Sequence, residues 1–169
     1  MNRILLLEDD VSLIDGLVYS LKKNEFDVEV ARTVCEAKQY LSELDRYDLL
    51  ILDVTLPDGT GFDICEKVRK ENQQIPIIFL TASDEEVSII RGLDSGGDDY
   101  ITKPFNTNLL ISRCNNLVNS RRLLQEKFSK QPQAFAQMLA TNPMDKEMLD
   151  RAMAIICLLY TSDAADDLT

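Results

Sequence analysis

The chain has 169 residues, 45% of them hydrophobic, which suffices for the core of one ordinary domain with an appended segment. Its 18 basic and 29 acidic residues give a formal net charge of −11, which argues against a surface that holds DNA by neutralising phosphates. Histidine is absent, which excludes histidine-based acid–base catalysis and histidine metal ligands.

Two sequence features that would direct a protein to a membrane or out of the cell are not found in this sequence. No stretch of the sequence approaches the roughly 18 consecutive apolar residues of a membrane span, and no signal-peptide pattern follows Met1. The four cysteines are scattered without a CxxC pair, which favours reduced thiols over disulfides or a zinc site. We therefore expect a cytoplasmic protein that does not contact a membrane.

The first quarter of the chain alternates between strand and helix patterns. Arg3 to Leu7 is predicted to form a strand, with a continuous apolar run from Ile4 to Leu7, and an amphipathic helix follows from Val11. The stretch from Asp27 to Ala31 alternates polar and apolar residues, as expected of a half-exposed edge strand. Thr33 is placed to cap a second helix whose apolar face reaches Leu44.

The third strand is the most informative. Leu49 to Leu52 are four consecutive apolar residues, too few for a helix, and they end in the carboxylate of Asp53. A turn at 57–59 follows, and a helix is predicted from Gly61 to about Asn72. The pattern indicates a buried parallel strand that delivers Asp53 to the carboxyl edge of the sheet.

Two more strand and helix pairs complete the pattern. Ile77 to Leu80 forms the fourth strand, and a fourth helix is predicted over about 84–95. The short fifth strand at 100–102 precedes a fifth helix, which starts near Thr107 and runs on to about Phe128.

Five such alternations predict an α/β fold, a parallel sheet with right-handed crossovers and helices on both faces. Two very apolar early strands and an alternating second strand favour the strand order 2-1-3-4-5. The expected architecture is a flavodoxin-like (βα)5 doubly wound sheet with a C-terminal helical extension.

Polar residues follow four of the five strands and should converge at one edge of the sheet: Glu8, Asp9, Asp53, Thr81 and Lys103. Three carboxylates in one place repel one another unless a cation joins them, and oxygen ligands of this kind suit Mg²⁺. Thr55 is placed to add its backbone carbonyl. Taken singly, each residue has a structural alternative, such as a helix cap at Asp53 or a turn at Lys103-Pro104.

The same residues can accept a phosphoryl group. Mg²⁺ and the Lys103 ammonium would neutralise charge on a phosphoryl group that moves onto an Asp53 oxygen, while the Thr81 hydroxyl donates to it. The small side chain of Ala82 leaves room for a phosphoryl donor.

With these motifs the sequence resembles the response-regulator receiver family of two-component signalling, over about residues 2 to 121. The resemblance is carried by four stretches: 4–10, 53–61, 81–82 and 98–105. It implies that Asp53 accepts phosphate from a histidine kinase and holds Mg²⁺ together with Glu8 and Asp9. It also implies that Lys103 and Thr81 contact the phosphoryl group.

The resemblance implies two conformational features as well. Tyr100 would be the switch aromatic, which turns inward as Thr81 moves toward the phosphate, and Lys103-Pro104 would be a cis peptide. Glu8 stands where the family often has a second aspartate; it keeps the charge and lengthens the reach.

Receivers of this family can form homodimers through the fourth helix, fifth strand and fifth helix. Asp99 and Arg113 fit one of the charge pairs that bridge such dimers, whereas Ile89 and Leu109 stand where another pair is common. The alternative for Asp99 and Arg113 is local packing within one chain.

Other protein classes that could use a strand-end aspartate or this fold require residues that the sequence does not have. A dehalogenase-type phosphatase needs a second aspartate where this chain has Thr55, and a flavodoxin needs a hydroxyl- and glycine-rich loop where it has acids. No GxxxxGK[ST] or GxGxxG motif occurs. We therefore expect a phosphoacceptor with at most slow self-dephosphorylation, and keep a small Mg²⁺-dependent phosphatase as a distant alternative.

The C-terminal part predicts a different organisation. We expect a receiver domain over 1–121 and a helical extension and linker over 122–143. Residues 144–156 resemble the lead-in to an AraC-type DNA-binding domain, and residues 157–169 resemble translated sequencing-adapter read-through. The expected function is transcriptional control through an output domain missing from this chain, which alone would contact DNA; the alternative is a stand-alone receiver that acts through protein contacts.

Overall fold

The computed structural model describes residues 1–71, 74–82 and 94–130. The chain divides into two compact units, Met1–Arg121 and Arg122–Thr169. The predicted fourth helix lies almost wholly outside the described residues, as do the predicted output-domain start at 144–156 and the predicted adapter-derived tail at 157–169.

The described residues of the first unit form seven strands: β1 (Asn2–Leu7), β2 (Phe26–Ala31), β3 (Leu49–Asp53), β4 (Thr55–Leu56), β5 (Gly59–Thr60), β6 (Ile77–Thr81) and β7 (Asp99–Thr102). Five of them form one parallel sheet in the order β2-β1-β3-β6-β7. This order confirms the predicted 2-1-3-4-5 arrangement, with β2 at an edge. The sequence did not predict β4 and β5, which pair as a short antiparallel hairpin directly after Asp53.

The described helices are α1 (Val11–Lys23), α2 (Val34–Tyr40), α3 (Gly61–Glu71) and α4 (Thr107–Lys130), and a 3-10 helix (Leu41–Arg46) follows α2. Thr33 caps α2 as predicted, because its hydroxyl accepts a hydrogen bond from the Glu36 backbone at 3.1 Å. The single helix predicted to reach Leu44 ends earlier. The three-residue period of the 3-10 helix places Leu41 and Leu44 on one side, where both are buried.

The core lies on both faces of the sheet because alternate residues of each strand point to opposite faces. One layer joins Leu5, Leu52 and Phe79 to the inner sides of α2 and α3. The other joins Leu6 and Ile51 to α1 and α4. Every residue of β3 is buried, as its unbroken apolar run predicts.

Helix α4 continues past Ser120 to Lys130, in agreement with the predicted extension. Within the part of the chain that the structure describes, no helix combines the length and apolar character needed to cross a bilayer.

Candidate functional site

The residues predicted to converge do meet at the carboxyl edge of the sheet. Asp53 is the last residue of β3, Glu8 directly follows β1, Thr81 ends β6 and Lys103 directly follows β7. Glu8, Asp53 and Thr81 are buried, although buried polar side chains are uncommon in a sheet this apolar. The parallel topology gathers side chains that are up to 95 residues apart in the sequence.

Three carboxylates form a tight cluster. Glu8, Asp9 and Asp53 each offer one oxygen, and these oxygens all lie within 4.8 Å of one another. Asp9 is half-buried, so the cluster opens to solvent on one side. Carboxylate oxygens at this spacing are the ligands that Mg²⁺ prefers.

The Lys103 ammonium lies between two of these carboxylates. Its Nζ donates to Glu8 Oε2 at 2.7 Å and to Asp53 Oδ2 at 3.0 Å. The second Glu8 oxygen accepts a hydrogen bond from the Asp10 backbone at 3.1 Å. Both buried carboxylates therefore have a cationic partner, without which each would be costly to bury.

Burial and charge oppose each other in this group. Burial raises the pKa of Glu8, although the hydrogen bond from Lys103 works in the opposite direction. Burial also acts to lower the pKa of Lys103, but its hydrogen bonds to Glu8 and Asp53 outweigh it, so the pKa is raised. Lys103 therefore remains a cation at neutral pH.

The backbone packs tightly around Asp53. The Thr55 N–H donates to Asp53 Oδ1 at 3.2 Å, so one carboxylate oxygen faces the hairpin and the other faces Lys103. Gly61 passes so close that an added Cβ would lie 2.2 Å from the Asp53 carbonyl oxygen. Only glycine fits there, a requirement that the sequence pattern did not reveal.

The remaining predicted residues lie around this cluster. Ala82 is exposed directly after Thr81, at the end of β6. The Lys103 N–H donates to the Thr81 carbonyl at 2.6 Å, which brings the ends of β6 and β7 together. The Lys103–Pro104 peptide bond is cis.

Tyr100 lies on β7 and packs its ring toward the core. Its ring centroid is 6.4 Å from that of Phe79, which in turn is 5.0 Å from that of Phe62. The Tyr100 hydroxyl oxygen is buried and lacks a hydrogen-bond partner within the described part of the chain. The ring is thus in an inward position.

Asp99 and Arg113, the predicted dimer pair, form an ion pair within one chain. Arg113 Nη1 lies 3.2 Å from Asp99 Oδ2. This contact matches the local alternative considered for the two residues.

One well-connected residue near the site was not singled out from the sequence. Asp58, interpreted as part of a turn and of the stretch 53–61 that carries the family resemblance, accepts hydrogen bonds from the Val34 and Cys35 backbone N–H groups at 2.8 and 2.9 Å. The partners are 24 and 23 residues away, so local pattern carries no signal for them.

A doubly wound parallel sheet with an acidic cluster and a lysine at its carboxyl edge defines the flavodoxin-like receiver class. Residues 4–115 match the family described as the response regulator receiver domain, and the chain belongs to that family.

Similar proteins agree with this assignment. The chain is 33% identical over 153 residues to the response regulator MprA of Mycobacterium ulcerans; the match covers 90% of this chain and 66% of that protein. The receiver domain of HemR from Leptospira biflexa, solved in its non-phosphorylated form, is 36% identical with a TM-score of 0.66, covering 70% of this chain and 94% of that one. A two-component response regulator from Clostridium difficile is 30% identical with a TM-score of 0.67, covering 70% and 97%.

The family defines the general chemistry. Response regulator receivers are phosphoacceptors rather than classical enzymes, bind Mg²⁺ at an acidic pocket and interact with histidine kinases. The chain spans 66% of the length of the curated relative, so the activity of a whole regulator is a separate question.

Proposed function

We propose that Asp53 is the phosphoryl acceptor of this chain and that a histidine kinase is the donor. The observation that supports this most directly is the Lys103 ammonium, which lies 3.0 Å from Asp53 Oδ2 and 2.7 Å from Glu8 Oε2. In the reaction, an Asp53 oxygen forms a bond to phosphorus while the bond from phosphorus to the donor breaks. The leaving group keeps that electron pair, and Asp53 becomes an acyl phosphate.

We propose that Glu8, Asp9 and Asp53 hold Mg²⁺, with the backbone carbonyl of Thr55 as a further ligand. Support comes from the three carboxylate oxygens, which lie within 4.8 Å of one another. When bound, Mg²⁺ supplies positive charge that offsets the negative charge of the incoming phosphoryl group.

The other predicted site residues would bind the phosphoryl group or pass the conformational change on to the rest of the domain. Lys103 would pair with a phosphoryl oxygen, the Thr81 hydroxyl would donate to another, and the small Ala82 would leave space for the donor. Tyr100 would serve as the switch aromatic, whose inward position is coupled to Thr81. The buried Tyr100 hydroxyl and the ring contact with Phe79 support the inward position, which is the orientation that the switch would favour.

The proposed acceptor is tested by incubating the protein with Mg²⁺ and acetyl phosphate and measuring its intact mass. We expect one added phosphoryl group in the wild type, none in Asp53→Asn, and none when the metal is chelated. Release of inorganic phosphate in many turnovers without an adduct would instead support the phosphatase alternative.

Two routes of output follow from the proposal. The first is transcriptional control through a DNA-binding domain whose start would lie at 144–156; the second is direct contact with a protein partner. The acidic charge of this chain supports DNA contact only through a separate domain. The genomic sequence across the locus decides between the two routes. It also tests the proposal that residues 157–169 derive from a sequencing adapter, because a genome that encodes those residues would contradict that proposal.

We further propose a cytoplasmic location, in keeping with the family, and phosphorylation-dependent homodimers through the predicted helix at 84–95, β7 and α4. Leu109 on α4 stands where such dimers commonly have a charged residue, but it is 46% exposed although apolar, so it would contribute an apolar contact in place of that charge pair. Sedimentation of the phosphorylated and unphosphorylated protein measures this directly.

A further inference from the structure

The tip of the hairpin after Asp53 is fastened to a helix on another part of the chain. Asp58 Oδ1 accepts a hydrogen bond from the Val34 N–H at 2.8 Å, and Oδ2 accepts one from the Cys35 N–H at 2.9 Å. These are the first two N–H groups of α2, which have no partner inside the helix. The two hydrogen bonds lower the pKa of Asp58, so the carboxylate is ionised at neutral pH.

The hairpin formed by β4 and β5 connects the anchored Asp58 to the acidic cluster. Thr55 pairs with Thr60, and Leu56 with Gly59, which leaves Pro57 and Asp58 as the two-residue tip. The base of the hairpin reaches the proposed acceptor, because the Thr55 N–H donates to Asp53 Oδ1 at 3.2 Å. A short chain of hydrogen bonds therefore runs from the N-terminus of α2 to Asp53.

Close packing holds the hairpin against the same helix. Gly59 has a φ of +156°, and a Cβ added there would lie 3.2 Å from Val34 Cγ2 and 3.3 Å from Asp63 Oδ2. Asp63 also accepts a hydrogen bond from the Thr60 N–H at 3.0 Å, so the second strand of the hairpin is fixed to α3. The tip is thus clamped between two helices.

We propose that Asp58 is a positioning residue for the metal side of the site. By clamping the hairpin to α2, its carboxylate holds Thr55 and Asp53 at the spacing that a shared Mg²⁺ requires. The inference rests on the proposed function, since Thr55 and Asp53 are metal ligands only there. Outer groups that orient ligands in this way change metal affinity without touching the metal.

If Asp58 served only to cap helix α2, the expected effects of its replacement would differ, and Thr33 provides a matched control. Helix α2 has a second cap in Thr33, which accepts from the Glu36 N–H at 3.1 Å, while the Glu36 carboxylate accepts from the Arg32 N–H at 2.8 Å. Thr33 therefore caps the same helix end as Asp58, but its capping hydrogen bond does not involve the hairpin. If Asp58 only caps α2, replacing either residue should have the same consequences.

The test compares Asp58→Ala, Asp58→Asn and Thr33→Ala in the full chain by calorimetric titration with Mg²⁺, alongside thermal unfolding. We expect Asp58→Ala to weaken Mg²⁺ binding about 10-fold, in the range found for groups that orient metal ligands. Asp58→Asn, which keeps one acceptor oxygen, should fall between Asp58→Ala and the wild type. Thr33→Ala should lower the unfolding temperature while leaving the Mg²⁺ dissociation constant unchanged.

Equal Mg²⁺ dissociation constants in the wild type and both Asp58 variants would overturn the inference, as would equal weakening in Thr33→Ala. Where Asp58→Ala does not fold, the Asp58→Asn titration decides alone. The proposed function fails in a distinguishable way: the wild type itself then binds no Mg²⁺ and forms no adduct with acetyl phosphate.

Discussion

The Lys103 ammonium lies 2.7 Å from Glu8 Oε2, although the two residues follow strands that are not neighbours. Strands β3 and β6 separate β1 from β7 in the sheet, so the long lysine side chain reaches across the edge where Asp53 lies. Glu8 is completely buried and Lys103 is largely so, which makes the pair an internal cation–carboxylate contact rather than a surface ion pair. In this way one lysine pairs with two carboxylates, and its single positive charge leaves a net charge of −1 on the three groups.

Removal of this cation should destabilise the fold. In Lys103→Met, Glu8 and Asp53 would be left as buried carboxylates without a cation, a loss that typically costs about 3 kcal/mol. We expect Mg²⁺ to restore part of the lost stability, since it supplies the missing positive charge. Urea unfolding with and without Mg²⁺ measures both effects, with the exposed Lys67→Met as control. Equal stabilities of the two variants would contradict the account.

Two glycines should respond in opposite ways to the same substitution. In Gly61→Ala the new Cβ would lie 2.2 Å from the Asp53 carbonyl oxygen, so the backbone must shift, at a cost of about 3 kcal/mol. Gly16 lies in α1 with nothing within 4 Å of an added Cβ, and Gly16→Ala should stabilise the protein by about 0.5–1 kcal/mol. Denaturant unfolding of both variants is the measurement, and destabilisation of similar size in each would be the contrary result.

Tyr47 should make the protein sensitive to alkali. Its hydroxyl donates to the Glu29 carboxylate, and burial together with this contact raises the pKa of Tyr47 above its ordinary value of 10.0. The unfolded chain therefore loses the phenol proton at lower pH than the folded chain, so the stability contributed by Tyr47 is complete below about pH 10 and declines above it. Between pH 9 and 11 the free energy of unfolding should therefore fall less in Tyr47→Phe than in the wild type. The expected difference between the two falls is roughly 1.4 kcal/mol, the free energy that corresponds to one pKa unit. Parallel pH profiles of the two proteins would remove Tyr47 from the explanation.

The proposed switch predicts a separation of two activities. Tyr100→Ala removes the ring that packs 6.4 Å from Phe79 but none of the acidic residues or Lys103, so phosphorylation by acetyl phosphate should persist. Dimerisation that depends on phosphorylation should weaken, as measured by sedimentation. Tyr19→Ala on α1, where the side chain is 70% exposed, serves as the control. Equal dimerisation in all three proteins would show that Tyr100 is not part of the switch.

Much of the architecture could be predicted from local patterns. The apolar runs of β1 and β3 indicate buried parallel strands, and the alternation in β2 indicates an edge strand, so the hydrophobic pattern together with the usual order of doubly wound sheets favours the observed strand order. The parallel order then brings the strand-end residues Glu8, Asp53 and Lys103 to one edge. These features were predictable because each depends on residues that are adjacent in the sequence.

The remaining features depend on tertiary contacts. Asp58 joins Val34 across 24 residues, and no local pattern distinguishes such a clamp from an ordinary turn. The strands β4 and β5 have only two residues each, too few for a periodic signal. Helix α2 gives way to a 3-10 helix in which Leu41 and Leu44 are both buried, and since residues three apart share a face in either kind of helix, the apolar pattern does not distinguish the two.

The central claim, that Asp53 accepts the phosphoryl group, is tested most directly by locating the modified residue. Tandem mass spectrometry of protein freshly phosphorylated with acetyl phosphate and Mg²⁺ identifies the peptide that carries the group. We predict that it is the peptide containing Asp53, and that the group is absent after treatment of Asp53→Asn under the same conditions. A phosphoryl group on Glu8, on Asp9 or on any residue that remains modified in Asp53→Asn would contradict the account.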